Sequence, residues 1–179
     1  MKKNSYSNYF GFTLIELLIV IAILGVLAVV VLVAVNPVQQ LARTRDAGRK
    51  SAIGQVGRTL QAYYTARNAT YVTEDDQWLN SLAVSGELST VPSAITYSIG
   101  ADDPNCGAGA VRANNLCYDY DDIENNAIVF ARMESESEIS KCNSGLQPFF
   151  VYSTIDGRAG LVCSDTPPTP GNQNWNSIQ

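Results

Sequence analysis

Apolar and polar positions divide the beginning of the chain into two contrasting segments. Residues 1–11 are polar and carry Lys2 and Lys3, whereas the 19 residues 17–35 include no charged or polar side chain. A helix of that length spans roughly 28 Å, close to the roughly 30 Å hydrocarbon thickness of a bilayer. The run is apolar all round and longer than the apolar part of an ordinary signal peptide. We therefore predict one retained membrane-spanning helix.

The pattern after the apolar run predicts a second helical segment. Within residues 38–67 apolar positions recur at steps of three or four, which is typical of an amphipathic helix. Glycines at positions 48, 54 and 57 weaken such a helix by up to about 1 kcal/mol each relative to alanine. We expect a stem whose apolar face packs on a small domain.

The remaining pattern predicts a head of mixed helix and strand. A short helix is expected within residues 73–88, with Thr73 as its N-cap. Turn residues at 121–126 and at Asp156-Gly157 predict two hairpins. The expected fold class is α+β, with a long N-terminal helix, half transmembrane and half amphipathic, packed on a small antiparallel sheet. The strand candidates are residues 94–99, 116–120, 127–132, 149–154 and 160–163.

Composition excludes several kinds of chemistry. The 179 residues include no histidine, which removes Ser–His and Cys–His nucleophile pairs and His-ligated zinc sites. A formal net charge of −5 argues against a nucleic-acid binder that works through overall basic charge. No nucleophile–base pair is visible, and we do not expect an enzyme.

Charge is distributed unevenly between stem and head. Residues 43–67 carry six bases against one acid, and residues 74–165 carry 15 acids against four bases. One hypothesis is that the acidic head of one subunit meets the basic stem of another and sets orientation and register. The alternative is an ordinary solvated helix face. Glu134, Glu136 and Glu138 alternate with serines and are expected to be a solvated run.

The four cysteines lie in the head and suit an oxidising compartment. They can pair in three ways, and their spacing lacks the C-x-x-C of a redox or zinc site. We favour Cys106–Cys117 and Cys142–Cys163, because each pair closes a short loop beside a predicted strand. Such closure stabilises a fold by roughly 3 kcal/mol. Buried free thiols are the alternative.

The residues before the apolar run carry the most specific signal. Residues 11–18, GFTLIELL, place Glu16 at the mouth of the apolar helix. A carboxylate in this position needs a cationic partner, and Lys2 and Lys3 are distant in sequence. Cleavage after Gly11 creates an α-amino group on Phe12. In a stacked assembly, that amine is within reach of Glu16 of the next subunit.

This segment resembles the class III signal and N-terminal helix of type IV pilins and of the related pseudopilins. The resemblance covers residues 1–37 and implies cleavage between Gly11 and Phe12, followed by N-methylation of Phe12. It also implies that Glu16 pairs with a neighbour's amino terminus during polymerisation. Gly25 falls where such helices often carry a glycine, whereas Pro37 comes later than the family's usual proline, so a bend there is left open.

The resemblance also implies a function and partners. The expected function is a structural subunit of an extracellular type IV pilus, supporting adhesion, motility or DNA uptake, with DNA contacted through the assembled filament. A pseudopilin or minor pilin of a type II secretion or competence system is the alternative. A simple membrane anchor that never polymerises is a third hypothesis, against which Glu16 argues. The implied partners are further copies of the chain, a prepilin peptidase/N-methyltransferase, an assembly ATPase and an inner-membrane platform.

Domain limits follow from these assignments. They are a leader at 1–11, a transmembrane and polymerisation helix at 12–37, a stem at 38–67, a head at 68–163 and a flexible tail at 164–179. Basic residues after the apolar run outnumber those before it, which by itself would place the head in the cytoplasm. The signal motif and the cysteines favour a single-pass protein with its head outside the cytoplasm, in a pilus or periplasmic pseudopilus after assembly.

Two further sites are weaker candidates. Some pseudopilins that resemble this chain bind calcium in a loop of the head, and Asp119, Asp121, Asp122 and Glu124 are the candidate ligands here. These residues do not match an EF-hand loop, and a solvated hairpin turn is the reading we favour. No other cofactor is expected. Asn68 begins an N-glycosylation sequon, a pattern that often arises by chance.

Overall fold

The computed structural model describes residues 11–98 and 105–175. It divides into two compact units, with the boundary between Gln40 and Leu41. Of the predicted leader, only Gly11 is described, and Lys2 and Lys3 lie outside the described residues. Helix α1 (Leu14–Val35) belongs to the first unit, and helix α2 (Pro37–Ala66) continues from the first unit into the second.

The two helices are separated by a single residue, Asn36. Pro37 has no N–H and its ring clashes with a preceding helical carbonyl, so a helix cannot run through it unbroken. Asn36 takes a left-handed conformation, with φ 41°, and ends α1. Its side-chain oxygen and its carbonyl both accept from the N–H of Gln39, and so they cap the first turn of α2. Pro37 occupies the first helical position, where a missing N–H is tolerated.

Five antiparallel strands form one sheet in the head, and each strand pairs with the next in the chain. Two short helices, α3 (Trp78–Val84) and α4 (Glu136–Ile139), lie in the connections. The predicted α+β class and both predicted hairpins are confirmed. The strands are β1 (Val111–Ala113), β2 (Leu116–Asp121), β3 (Asn126–Arg132), β4 (Gln147–Ser153) and β5 (Arg158–Ser164).

Alternate residues of the strands build two apolar clusters on opposite faces of the sheet, as the two-residue period of a strand requires. On one face Tyr118, Val129 and Tyr152 pack with Ile53 and Leu60 of α2. The other face forms a second cluster that includes Trp175 near the C-terminus. Its buried members are Cys106, Cys117, Ile128, Phe130, Phe149, Val151 and Val162.

Helix α2 lies directly against the sheet at Gly57. A Cβ atom at this position would overlap the ring of Tyr152. The sequence predicted only that this glycine weakens the helix. The structure shows that it permits the contact that buries the helix face.

Two local predictions in the head were wrong, and one strand was not predicted. The helix expected from Thr73 begins at Trp78 with Gln77 as N-cap, because Asp75 accepts from the N–H of Gln77 and holds the preceding residues in a turn. Residues 94–98 of the strand predicted at 94–99 form no strand, and Ile99 lies outside the described residues. The carbonyls of Ile95 and Thr96 instead accept from Arg49 on α2.

The third difference is strand β1, which was not predicted. Its signal was the pair Asn114-Asn115, which joins β1 to β2 with φ values of 50° and 61°. Two left-handed residues in succession make the tight turn that suits a two-residue hairpin, and asparagine tolerates that conformation.

Described residues of the C-terminal segment, which was predicted as a flexible extension, contact the sheet. Among residues 164–175, Pro168 is buried, and the ring of Trp175 lies so close to Gly160 that a Cβ there would come within 2.8 Å of it. The guanidinium of Arg158 stacks 4.5 Å from the Trp175 ring centroid. This segment therefore covers the second face of the sheet. Residues 176–179 lie outside the described part of the chain.

Candidate processing and assembly site

The predicted cleavage bond lies in exposed backbone just before α1. Phe12 is 82% exposed, and no described atom lies within 4 Å of the point where a Cβ of Gly11 would stand. The described fold therefore gives no steric reason for a glycine at position 11. The bond between Gly11 and Phe12 is therefore sterically accessible in the described chain.

Thr13 and Glu16 form a capping box at the start of α1. The Glu16 carboxylate accepts from the backbone N–H of Thr13 at 2.9 Å and from its hydroxyl at 2.8 Å. In return, the Glu16 N–H donates to Thr13 Oγ1 at 3.3 Å. This pairing satisfies helix N–H groups that otherwise have no partner. The capping box was not predicted, although Thr-x-x-Glu before an apolar run is its signature.

Glu16 thus has neutral partners inside its own chain. In the described part of the chain no cation pairs with it, and Lys2 and Lys3 fall outside that part. The charge on Glu16 remains available to a cation that arrives from elsewhere.

Helix α1 is exposed along its length. The segment Leu14–Ala34 is strongly apolar, and its apolar stretch is not buried by the rest of the described chain. A core helix of a soluble protein would be covered by the rest of its fold, and this helix is not. At about 1.5 Å per residue its length is enough to cross a bilayer, which fits a single-pass membrane anchor.

Gly25 lies in the middle of α1, where glycine lowers helix stability. No described atom comes within 4 Å of a Cβ built at this position. Gly25 therefore has no packing role within the described chain, in contrast to Gly57. Pro37 has a clear local role, since it starts α2 and separates the two helices.

Arg45 and Arg49 of the stem form ion pairs within the chain. Arg49 is only 1% exposed, and its Nη1 lies 2.9 Å from both Asp46 Oδ1 and Glu134 Oε1. Arg45 Nε reaches the same Glu134 oxygen at 2.6 Å. Asp46 also accepts from the backbone N–H groups of Glu134 and Ser135. These ion pairs join α2 to the segment that follows β3.

A second pair of contacts continues this network. Glu138 lies 2.7 Å from Lys50 and 2.8 Å from Lys141. The prediction of a solvated run was therefore wrong for Glu134 and Glu138, whereas Glu136 is exposed as predicted. An alternation of Glu and Ser does not reveal which carboxylates face a basic helix, because those partners lie some 90 residues away in sequence.

Burial and hydrogen bonding act in opposite directions on Glu134. Burial raises its pKa, but hydrogen bonds from Arg45, Ser98 and Arg49 outweigh that effect and lower the pKa to about 2. Tyr97 stacks on the Arg49 guanidinium at 3.8 Å, and burial raises the pKa of Tyr97 to about 12. Glu134 is therefore ionised and Tyr97 neutral at pH 7.

This network changes the hypothesis of an intersubunit contact between basic stem and acidic head. Arg45, Arg49 and Lys50 already meet the acids of their own head, so reversing their charges would disturb the fold itself. Any such contact between subunits would use exposed stem cations such as Arg43 and Arg58.

The acidic residues proposed as calcium ligands point to separate partners. Asp121 accepts from the N–H groups of Ile123 and Glu124 and closes the hairpin turn. Asp119 lies against Glu74; burial and this neighbouring carboxylate raise its pKa to about 7. Within residues 11–98 and 105–175, no three acidic or sulfur side chains form a group able to hold a metal ion. A calcium site here stays a prediction.

Both favoured disulfides are present. Cys106 bonds to Cys117 and Cys142 bonds to Cys163, across 11 and 21 residues. The first fastens the segment before β1 to the sheet, and the second fastens the loop after α4 to β5. Asn68 and Ala69 of the predicted sequon are exposed, at φ 54° and 59°, and glycosylation there stays a prediction.

Comparison with known proteins identifies the N-terminal segment and nothing beyond it. Residues 6–32 match the family described as the prokaryotic N-terminal methylation motif, a stretch that includes Gly11, Phe12, Glu16 and Gly25. No curated protein and no solved structure matches the chain. The motif indicates a structural subunit that is processed by a prepilin peptidase and assembles into a pilus or pseudopilus. The chain carries the class III signal of the type IV pilins and pseudopilins, on a pilin-like α+β architecture.

Proposed function

We propose that this protein is a structural subunit of an extracellular type IV pilus. It is cleaved after Gly11, methylated on the new amino group of Phe12, and polymerised through its N-terminal helix. The observation that carries the proposal is α1, an apolar helix with exposed side chains. It has Glu16 in its first turn and follows an accessible Gly11–Phe12 bond.

Exposed apolar surface on this scale requires a cover, because its contact with water is unfavourable in proportion to its area. Before assembly the cover is the bilayer. After assembly it is the α1 helices of neighbouring subunits, where Gly25 allows close approach of a neighbouring backbone.

Polymerisation would also provide a cationic partner for the Glu16 carboxylate in the first turn of α1. Removal of the leader turns the amide nitrogen of Phe12 into an ammonium group, which methylation leaves positively charged. When the amine of one subunit meets Glu16 of the next, each charge gains a partner in an apolar surrounding. There the attraction is stronger than in water. A simple membrane anchor gains nothing from Glu16 in this way.

The two disulfides of the head support a location outside the cytoplasm, because disulfides persist in oxidising compartments. The proposed partners are a prepilin peptidase/N-methyltransferase, an assembly ATPase, an inner-membrane platform and further copies of the chain. Adhesion, motility or DNA uptake through the filament would be the cellular outcome.

Two substitutions separate the charge of Glu16 from its capping role. Glu16→Gln keeps a side chain that can complete the capping box but removes the charge, whereas Thr13→Ala removes the cap and keeps the charge. We expect Glu16→Gln to be cleaved after Gly11 yet to form no filaments, and Thr13→Ala to form them. Normal filaments from Glu16→Gln would contradict the charge-pair mechanism.

The second test is intact-mass and N-terminal analysis of material sheared from cell surfaces, compared with the membrane fraction. We expect a chain that starts at methylated Phe12 and is abundant in the sheared fraction. The same mature chain confined to membranes would point instead to a pseudopilin or minor pilin. An uncut chain that starts at Met1 would indicate a simple anchor.

A further inference from the structure

A groove lies at the end of α2 that is farther from Pro37. It has a volume of about 430 Å³ and is formed by the last two turns of α2, the segment after it, and the turns that follow β2 and β4. All of it belongs to the second compact unit. Its lining residues are Gln61, Tyr64, Thr65, Tyr71, Asn125, Thr154 and Ile155.

The lining is uncharged, although the surrounding head is rich in acids. It combines two phenol rings, two carboxamides, two hydroxyls and one aliphatic side chain. The rings of Tyr64 and Tyr71 lie 4.7 Å apart at 30° and form an aromatic wall. Rings of this kind offer apolar surface with a polar tip. A neutral groove with this mixture suits a ligand that presents both C–H surface and many hydroxyl groups.

Several polar atoms of the lining keep unused hydrogen-bonding capacity. Asn125 Nδ2 donates to the Tyr64 hydroxyl at 2.6 Å, which leaves the hydroxyl proton of Tyr64 and the carbonyl oxygen of Asn125 for a ligand. Gln61 Nε2 donates once, to the Thr154 carbonyl, and retains a second N–H. Thr65 Oγ1 donates to Ala62 and can still accept.

The unused donor and acceptor at Tyr64 and Asn125 are held side by side by their mutual hydrogen bond. Two adjacent hydroxyls of a sugar ring match this arrangement, since one can accept from Tyr64 while the other donates to Asn125. Gln61 is held in place from the other side, because its Oε1 accepts from Tyr152 at 2.7 Å. These polar groups are therefore oriented before any ligand arrives, which reduces the entropy lost on binding.

We propose that this groove, the Tyr64–Asn125 groove, binds a neutral saccharide through its ring face and a pair of adjacent hydroxyls. The groove lies entirely within the second compact unit of one subunit, so binding does not require assembly. The inference is therefore separate from the proposed role in a pilus, and either can fail alone.

A neighbouring groove provides a matched control. It is lined by Tyr63, Arg67, Asn80, Ser81, Val84 and Ser85, and so it contains a cation and only one ring. Tyr63 and Tyr64 are adjacent on α2 and are both half-buried. Truncation of either ring removes the same number of atoms from the same helix. Each ring lines only one of the two grooves.

The test is saturation-transfer NMR and titration calorimetry on the full chain in a zwitterionic detergent that has no sugar headgroup. The probes are glucose, galactose, N-acetylgalactosamine and lactose, with galacturonate and N-acetylneuraminate as charged counterparts. We expect at least one neutral probe to bind saturably at millimolar concentration and to bind more tightly than the charged probes.

Two variants are expected to weaken that binding by about tenfold or more. They are Tyr64→Ala and Asn125→Gly, and the glycine accommodates the φ of 55° at position 125. Tyr63→Ala is expected to bind as the parent does. Near-UV circular dichroism and thermal unfolding confirm that each variant is folded. No saturable binding of any neutral probe up to about 50 mM would overturn the proposal. Binding that survives both groove variants, or a preference for the charged probes, would also overturn it.

Discussion

Helix α1 and the part of α2 beyond residue 40 are close in sequence but have different surroundings. The side chains of α1 are exposed, and its Gly25 has no described neighbour to meet a Cβ. In α2, Ile53, Val56 and Leu60 are fully buried, and Gly57 is in contact with Tyr152. Most features of α2 are explained by its own chain. The exposed apolar side chains of α1 fit a membrane anchor, and its first turn is capped within its own chain.

The ion pairs show the same contrast. Arg49 of α2 forms ion pairs with Asp46 and Glu134 of its own chain. Among the described residues, the Glu16 carboxylate of α1 is hydrogen-bonded only to the neutral Thr13. A buried ion pair stabilises a fold only when its geometry and hydrogen bonds are complete. In the head, Nη1 and Nη2 of Arg49 are both hydrogen-bonded, although its Nε has no partner among the described residues. In α1, no described cation pairs with Glu16.

The largest expected effect concerns the buried network of the head. Glu134→Gln leaves Arg45 without its anionic partner and weakens the environment of Arg49. We expect the free energy of unfolding to fall by about 3–5 kcal/mol, measured by denaturant titration of the full chain in detergent. Asp122→Asn removes an exposed carboxylate of the same head and should change it by less than about 0.5 kcal/mol. Equal effects from both variants would show that the network does not hold the head to α2.

Acid should unfold the head before it affects α1. The carboxyl of Glu134 has an ordinary pKa of 4.5 and a folded pKa of about 2, so in this window the unfolded chain binds more protons. Stability is therefore present above pH 4.5 and is lost as the pH falls toward 2, by about 3 kcal/mol from this group. The pKa of Glu138 is also lowered, since its hydrogen bonds to Lys141 and Lys50 outweigh its burial, and it adds loss in the same direction.

Circular dichroism between pH 6 and 2 in detergent can separate the two regions. The near-UV signal of the head should collapse on acidification, while the far-UV helical signal falls only by the share of α2 and the short head helices. If α1 and the head lost structure together, the contrast between the two helices would not hold.

Two glycines give a matched comparison of smaller size. Gly57→Ala places a methyl group into the ring of Tyr152, and we expect a loss of about 3 kcal/mol in the unfolding free energy despite the better helix propensity of alanine. Gly25→Ala meets no described atom, and the head should unfold as in the parent. Its effect should appear in filament assembly instead. A stabilised head in Gly57→Ala would show that α2 lies farther from the sheet.

The smallest expected effect has the opposite sign to that of Glu134. Burial and the nearby Glu74 raise the pKa of Asp119 from 3.8 to about 7. The folded chain therefore binds more protons between these values, and this group lowers stability as the pH rises through 7. Asp119→Asn should raise the unfolding free energy at pH 8 by about 1–2 kcal/mol. It should make little difference at pH 4. An unchanged or lowered stability at pH 8 would contradict the assignment.

Local patterns predicted much of this molecule. The apolar run, the amphipathic stem and four of the five strands follow from spacing over a few residues, and the hairpin at Asp156-Gly157 follows from turn chemistry. Two features that were not predicted also have local signals: Thr13-x-x-Glu16 indicates the capping box, and Asn114-Asn115 indicates β1. Such features are readable because the atoms that cause them are near one another in the chain.

Other features required the folded chain. Residues 94–98 have the composition of a strand, but their carbonyls accept from Arg49, a partner about 46 residues away. The tail has the composition of a flexible segment, yet the ring of Trp175 packs directly on Gly160, which has no side chain. In both cases tertiary contacts outweighed local preference.

The sequence by itself determined the helical anchor, the cleavage and methylation signal and the α+β class, because run length, periodicity and a short motif depend only on neighbouring residues. Tertiary structure alone decided which carboxylates meet Arg45 and Arg49, why Gly57 is a glycine, and that Tyr64 and Asn125 share one groove. Those outcomes depend on groups that are far apart along the chain and are brought together only when α2 packs on the sheet. Among the three possible pairings, the disulfides were settled in the same way, by the approach of strands and loops.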